Sequence, residues 1–167
     1  MTRYIKFLIA SFFGLLASIQ TANAQLNIDI TQGNLDPVPI AIPDFLSTDS
    51  QGRDIGAKIA EVVRADLERS GIFKSLSPSS FLETQTNIDY KPTFADWRVI
   101  KAEALVSGRV VVESSNRIRV EYRLWDITAG EQLSGIRFGT APNQWRRIAH
   151  KVSDSIYKKL TLSLIHI

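Results

Sequence analysis

The sequence predicts an α/β domain: a small mixed sheet containing an antiparallel meander, with two long helices and one short helix packed on it. Three observations carry that prediction. Ile118, Val120, Tyr122 and Leu124 alternate with Arg117, Arg119, Glu121 and Arg123, the period-two signature of a strand with one buried and one wet face. Ile55, Ile59, Val62, Val63 and Leu67 recur at helical spacing, as do Trp145, Ile148, Ala149, Val152, Ile156 and Leu160. A length of 167 residues, 44% of them hydrophobic and 22% charged, suits a single folded domain.

The first 24 residues stand outside that domain. Arg3 and Lys6 precede an uncharged apolar run over 7–19, and Ala22 and Ala24 flank Asn23 as a small-x-small cleavage site, so residues 1–24 read as a secretory signal and the mature chain begins at Gln25. The run is shorter than the roughly 20 apolar residues of a spanning helix, so no membrane span is expected after cleavage. No cysteine follows it, which excludes lipid attachment through a thiol, a disulfide framework and thiolate metal sites. Of 20 basic side chains Arg3 and Lys6 leave with the signal, and 18 remain against 17 acidic ones. A net charge so close to zero argues against nucleic acid as a partner, because that binding needs concentrated positive charge.

Each element then has its own local reason. In residues 25–36, Leu26, Ile28 and Ile30 alternate with Asn27, Asp29 and Thr31 before Gln32, Gly33 and Asn34 break the pattern, giving a short strand-competent arm. Pro37, Pro39 and Pro43 punctuate the next stretch, so a strand there lies at a sheet edge or has part of its length unpaired. Thr48, Asp49 and Ser50 are candidate caps for the first long helix, and Ser70 and Gly71 its stop. On its polar faces Glu61 and Arg64, and Asp66 and Arg69, lie one turn apart. Residues 72–76 read as a short strand, 77–80 as a turn of helix or a loop, 83–91 as loop, and 93–104 as the short helix, with Phe94, Trp97, Ile100 and Ala104 on one side. The meander follows over 105–113, 117–126 and a third strand holding Leu133, Ile136 and Phe138, with Gly135 as a candidate bulge. Pro142 opens the last helix, whose apolar stripe is expected to face the sheet.

Patterns that carry chemistry do not assemble. His150 shares a polar helix face with Arg146, Arg147 and Asp154 and has no carboxylate partner assignable from sequence, and His166 lies in the tail. No nucleophile elbow, phosphate-binding glycine loop, zinc-protease or calcium-loop motif occurs, and the five-residue spacing of Asp44, Asp49 and Asp54 suits no metal loop. The expectation is a protein without catalytic residues, cofactor or metal. Arg117, Arg119 and Arg123 form a stripe, but Tyr122 falls on the opposite face and Glu121 sits among them, so a wet or partner-covered sheet face is expected there.

Several runs are similar to one family in sequence order. Residues 41–45 (Ala-Ile-Pro-Asp-Phe), 95–98 (Ala-Asp-Trp-Arg), 102–108 (Ala-Glu-Ala-Leu-Val-Ser-Gly), 122–130 and 145–157 resemble the amino-terminal domain of the TolB family, periplasmic components of the Tol-Pal system. The resemblance covers most of 25–161 and implies an α/β domain that a β-propeller follows in full family members. It also implies a non-catalytic periplasmic interaction module with a role in outer-membrane integrity and cell division. Its partner-binding residues are then the mobile arm that the TolA carboxy-terminal domain captures, here Gln25, Leu26, Asn27, Ile28, Asp29, Ile30, Thr31, Gln32 and Gly33. The alternative is an unrelated periplasmic α/β binding or assembly domain. The family's chain continues beyond Thr161 into linker and propeller, whereas 162–167 (Leu-Ser-Leu-Ile-His-Ile) fit no propeller blade and read as an anomalous tail from truncation or a sequencing artefact. With no β-propeller in this sequence, binding of the lipoprotein Pal is expected only in a full-length protein.

Overall fold

The computed structural model describes residues 36–83 and 86–162. The signal, the arm up to Leu35 and most of the tail therefore lie outside the described residues. The elements are β1 (Val38–Ala41), α1 (Ser50–Arg69), β2 (Phe73–Ser75), α2 (Phe94–Val99), β3 (Ala104–Ser114), β4 (Arg117–Asp126), β5 (Glu131–Thr140) and α3 (Trp145–Leu162), with 3-10 turns at Pro78–Ser80 and Pro142–Gln144. One sheet runs in the order β2-β1-β3-β4-β5. β1 is parallel to both neighbours, and β3, β4 and β5 form the antiparallel meander. The mixed sheet, two long helices and one short helix follow the sequence expectation, with no propeller among the described residues.

β1 corrects one half of the proline argument. It is an interior strand, not an edge. Val38 N–H and Ile40 C=O face β2, bonding Ile72 and Leu76, while the Pro39 carbonyl faces the other way and accepts from Glu103 N–H at 2.9 Å. Pairing with β3 begins only at Ile40 and Ala104. The N–H that Pro39 lacks therefore falls where the ladder has not started.

α1 starts and stops as its sequence signals. Asp49 is the N-cap, its Oδ1 accepting from Gly52 N–H at 3.0 Å, and Gly71 takes φ 74° just past the C-cap Ser70. Arg64 turns away from Glu61, donating instead to Ile42 C=O at 2.6 Å and pairing with Asp44 at 3.3 Å. Asp66 and Arg69 pair at 3.2 Å as expected.

The short helix ends at Val99, earlier than the apolar spacing implied. Lys101 adopts φ 59°, and Ala102 N–H reaches back to Trp97 C=O while Lys101 N–H bonds Arg98 C=O. This is a left-handed helix stop with lysine where glycine is usual, so Ala104 belongs to β3. The bulge in β5 falls at Leu133, since Leu124 pairs with Ser134 and Trp125 with Gln132; Gly135 itself pairs regularly with Arg123. α3 proper begins at Trp145, because Pro142 opens a 3-10 turn first.

α1 and α3 pack on one sheet face over a core that includes Ile59, Val63, Val106, Val120, Leu124, Val152 and Ile156, all essentially inaccessible. Trp145 stays half-buried, its ring under the Arg146 guanidinium at 4.9 Å. The opposite face carries a second core, where α2 and the preceding loop lay Trp97 and Phe81 against Leu105, Trp125 and Ile127. Phe81 and Trp97 rings lie 5.2 Å apart.

Candidate functional site

Every residue predicted to bind a partner, Gln25 to Gly33 one by one, and both cleavage-site alanines, Ala22 and Ala24, lie outside the described residues. The structure does describe where that segment joins the domain. Asp36 and Pro37 are exposed, and β1 begins one residue later with both sides taken by β2 and β3.

The arginine stripe lies where alternation puts it, on the sheet face away from α1 and α3, and Tyr122 lies on the other face, its hydroxyl donating to Ser155 Oγ at 2.7 Å. Burial pushes the Tyr122 phenol up despite its bonds to Ser155 and Ser134. Around Glu121, which is buried, three guanidinium groups converge: Arg109 at 2.7 Å, Arg119 at 2.9 Å and Arg137 at 3.0 Å. Burial raises the Glu121 carboxyl, but the Arg109 hydrogen bond and the charges of Arg109, Arg119 and Arg137 together outweigh it and hold the group below its ordinary value. The same bond to Glu121 raises Arg109 against the opposing effect of burial.

The chain itself covers part of this face. The described residues of 83–91 are loop, as expected, yet Thr86 and Ile88 are buried: Arg123 Nε donates to Ile88 C=O at 2.6 Å and Arg109 pairs with Asp89 at 2.7 Å. Arg117 and Arg119 pair with Glu113. The guanidinium groups of Arg117, Arg119 and Arg123 are thus engaged within the domain, so this stripe is not a row of free cations. Gly135 has a positional reason here, since a Cβ on it would meet Gln132 Nε2 at 3.0 Å, and Gln132 accepts from Arg123 at 2.8 Å.

His150 does have a carboxylate partner, against the sequence reading. Asp66 of α1 meets its Nδ1 at 2.6 Å, and Ser153 Oγ donates to the same carboxylate oxygen at 3.0 Å. The serine points at the carboxylate rather than at the imidazole, so the trio ties α1 to α3 and does not arrange a nucleophile beside a base. Nothing local in the sequence marks Asp66, which lies 84 residues away. Among the described residues no group of three or more histidine or acidic side chains could hold a metal ion.

Two further accessible features remain. Among the described residues no strand pairs with the outer edge of β5, and beside it a groove of about 740 Å³ runs between β5 and α3, lined by Ile136, Phe138, Tyr157, Lys151 and Lys158 among others. These features define the class of protein: an α/β domain whose sheet carries two long helices on one face and a short helix with a covering loop on the other, with a partly covered charged cluster, an exposed entry point for its amino-terminal segment and, among the described residues, an unpaired outer edge on β5.

Within that class the chain belongs to the TolB amino-terminal domain family, which matches residues 26–133. The Tol-Pal system protein TolB of Paramagnetospirillum magneticum is 46% identical over 146 residues, which cover 87% of this chain and 33% of that protein. The crystal structure of TolB from Acinetobacter baumannii superposes with a TM-score of 0.62 at 26% identity, over 82% of this chain and 31% of that one. The chain thus spans about a third of the length of these relatives. The hypothetical protein CT253 of Chlamydia trachomatis shares the fold alone, with a TM-score of 0.52 at 13% identity over 77% of this chain and 99% of that one. Family membership replaces the alternative of an unrelated α/β domain and makes the chain a component of Tol-Pal type.

Proposed function

We propose that this chain is a non-catalytic periplasmic interaction module of the Tol-Pal system, exported by the signal at 1–24 and captured by the TolA carboxy-terminal domain through residues 25–33. Through that contact it serves outer-membrane integrity and cell division. Family membership is the observation that carries the reading. The exposed junction at Asp36 and Pro37 supports it, because a segment leaving the domain there starts from solvent.

The chemistry of the arm suits strand addition. Leu26, Ile28 and Ile30 share one side of an extended segment and can fill a partner's pockets while the backbone pairs with its sheet edge. Fixing each arm residue costs about 1–2 kcal/mol of backbone entropy, so nine residues give back much of what their contacts gain and capture stays reversible. Pal contact is assigned to the propeller of longer family members and not to these residues.

The test is a pull-down of the processed chain by the TolA carboxy-terminal domain, with and without residues 25–33. Truncation abolishes capture and leaves the circular dichroism spectrum and melting temperature unchanged. Equal capture of both proteins overturns the arm assignment.

A further inference from the structure

The two sheet edges differ. β2 is three residues long, but β5 runs ten residues, and among the described residues no strand pairs with its outer side. Long edges are usually blunted by bulges, prolines or charge. β5 carries a bulge only near its start, at Leu133, is regular from Ser134 to Thr140, and has a single cation, Arg137. Ile136 and Tyr157 are exposed at 36% and 38%, in the groove that also holds Phe138 and in which Lys151 and Lys158 outnumber Asp154.

Strand alternation sets what can be added there. Ile136 and Phe138 face the groove, whereas the Arg137 guanidinium reaches Glu121 on the opposite face, where five guanidinium groups meet three carboxylates. We propose that β5 and its groove are a docking edge for an extended segment of a partner protein, which adds a sixth strand with apolar residues opposite Ile136 and Phe138 and a carboxylate between them opposite Arg137. Backbone pairing supplies the contact, and the apolar-acidic-apolar pattern supplies the selection. Charge favours this occupant over a second copy of the chain, whose self-pairing along β5 would set two Arg137 side chains on one face and two lysine pairs on the other. The site is separate from the arm assigned to TolA and stands or falls without it.

A fluorescein-labelled peptide of alternating valine and glutamate, seven residues long, is the probe, titrated with the full chain and read by anisotropy. Saturable binding is expected. Replacing the glutamates by lysine, methylating alternate peptide nitrogens on the pairing side, or introducing Ile136→Glu or Arg137→Glu weakens it by about tenfold or more, while Arg137→Lys binds like the parent. Thermal melts establish that the variants stay folded. Equal binding of the glutamate and lysine peptides, or undiminished binding of the methylated one, overturns the proposal. A peptide of residues 25–33 that binds more tightly than the probe overturns it too, by giving the edge to the chain's own segment, and so does a dimer in sedimentation that Ile136→Glu dissolves.

Discussion

Gly108→Ala is a small change that the packing around Phe45 makes costly. A Cβ on Gly108 would lie 2.2 to 2.4 Å from Cγ, Cδ1 and Cδ2 of the Phe45 ring, where carbon atoms rest about 3.5–4.0 Å apart. The ring must therefore move by more than about 1 Å, and it has nowhere to go. Phe45 is 2% exposed, Leu46 N–H bonds Gly108 C=O at 2.9 Å, Val110 N–H bonds Leu46 C=O at 2.8 Å, and a Cβ on Gly56 of α1 would sit 2.2 Å from the Phe45 carbonyl oxygen. Overpacking costs about 1–3 kcal/mol, and an overlap this deep with a ring held on all sides belongs to the upper half of that range, about 2–3 kcal/mol, against about 0.5–1 kcal/mol recovered by removing a glycine from a strand. A net loss of about 1–2 kcal/mol lowers the melting temperature by roughly 3–10 °C. Urea unfolding followed by circular dichroism gives the value, and Phe45→Leu in the same background relieves the clash, so the pair couples by about 0.5 kcal/mol or more. A Gly108→Ala protein as stable as the parent would refute this account of the contact.

Two further substitutions probe the same frame. Val152 is wholly buried between α3 and the sheet; Val152→Asp forfeits about 1.5–3 kcal/mol of burial and adds an unpaired buried charge, so insoluble or degraded protein is expected, and normal yield with a native melt contradicts the placement. Glu121→Gln leaves three guanidinium groups facing a neutral amide and costs about 1–3 kcal/mol at neutral pH. Because the Glu121 carboxyl is held below its ordinary value when folded, its contribution is complete above the ordinary carboxylate range and disappears as pH falls through the lowered value. The stability gap between parent and variant therefore closes on acidification in denaturant melts; a gap that is constant with pH would show that the charge is not what stabilises.

The legible part of this fold was the part written locally. Ile55 to Leu67 and Ile148 to Leu160 declare their helices through spacing, and Ile118 to Leu124 declare a half-buried strand, because burial on one face imposes a period on neighbours in sequence. What stayed hidden depends on the far side of a contact. Pro39 announces a missing donor but not which neighbour it faces, so an interior strand was indistinguishable from an edge. Lys101 stops α2 through a backbone conformation that glycine would have advertised. Asp66 meets His150, Ile88 covers Arg123, and two glycines make room for Phe45, Gly56 for its carbonyl and Gly108 for its ring, each a contact that no local pattern marks. The arm was visible as an alternation, and its partner was implied only by family resemblance.

The division of labour between charge and backbone follows from the same contacts. A stripe of arginines on a sheet looks in sequence like an electrostatic surface, yet Arg117, Arg119 and Arg123 are engaged by Glu113, Glu121, Gln132 and the Ile88 carbonyl of the same domain. Charges already paired at contact distance gain little from a newcomer, since any new ion pair must first replace an existing one. In the proposed docking, recognition falls first to groups without a partner among the described residues: the N–H and C=O groups along the outer edge of β5, and the apolar side chains set in alternation beside them. Affinity from backbone pairing is indifferent to sequence, so discrimination must come from the alternate side chains, which in β5 means Ile136 and Phe138 on one face and, on the other, Arg137, which is 68% exposed and shares Glu121 with two further guanidinium groups, so that its charge is only partly met within the domain.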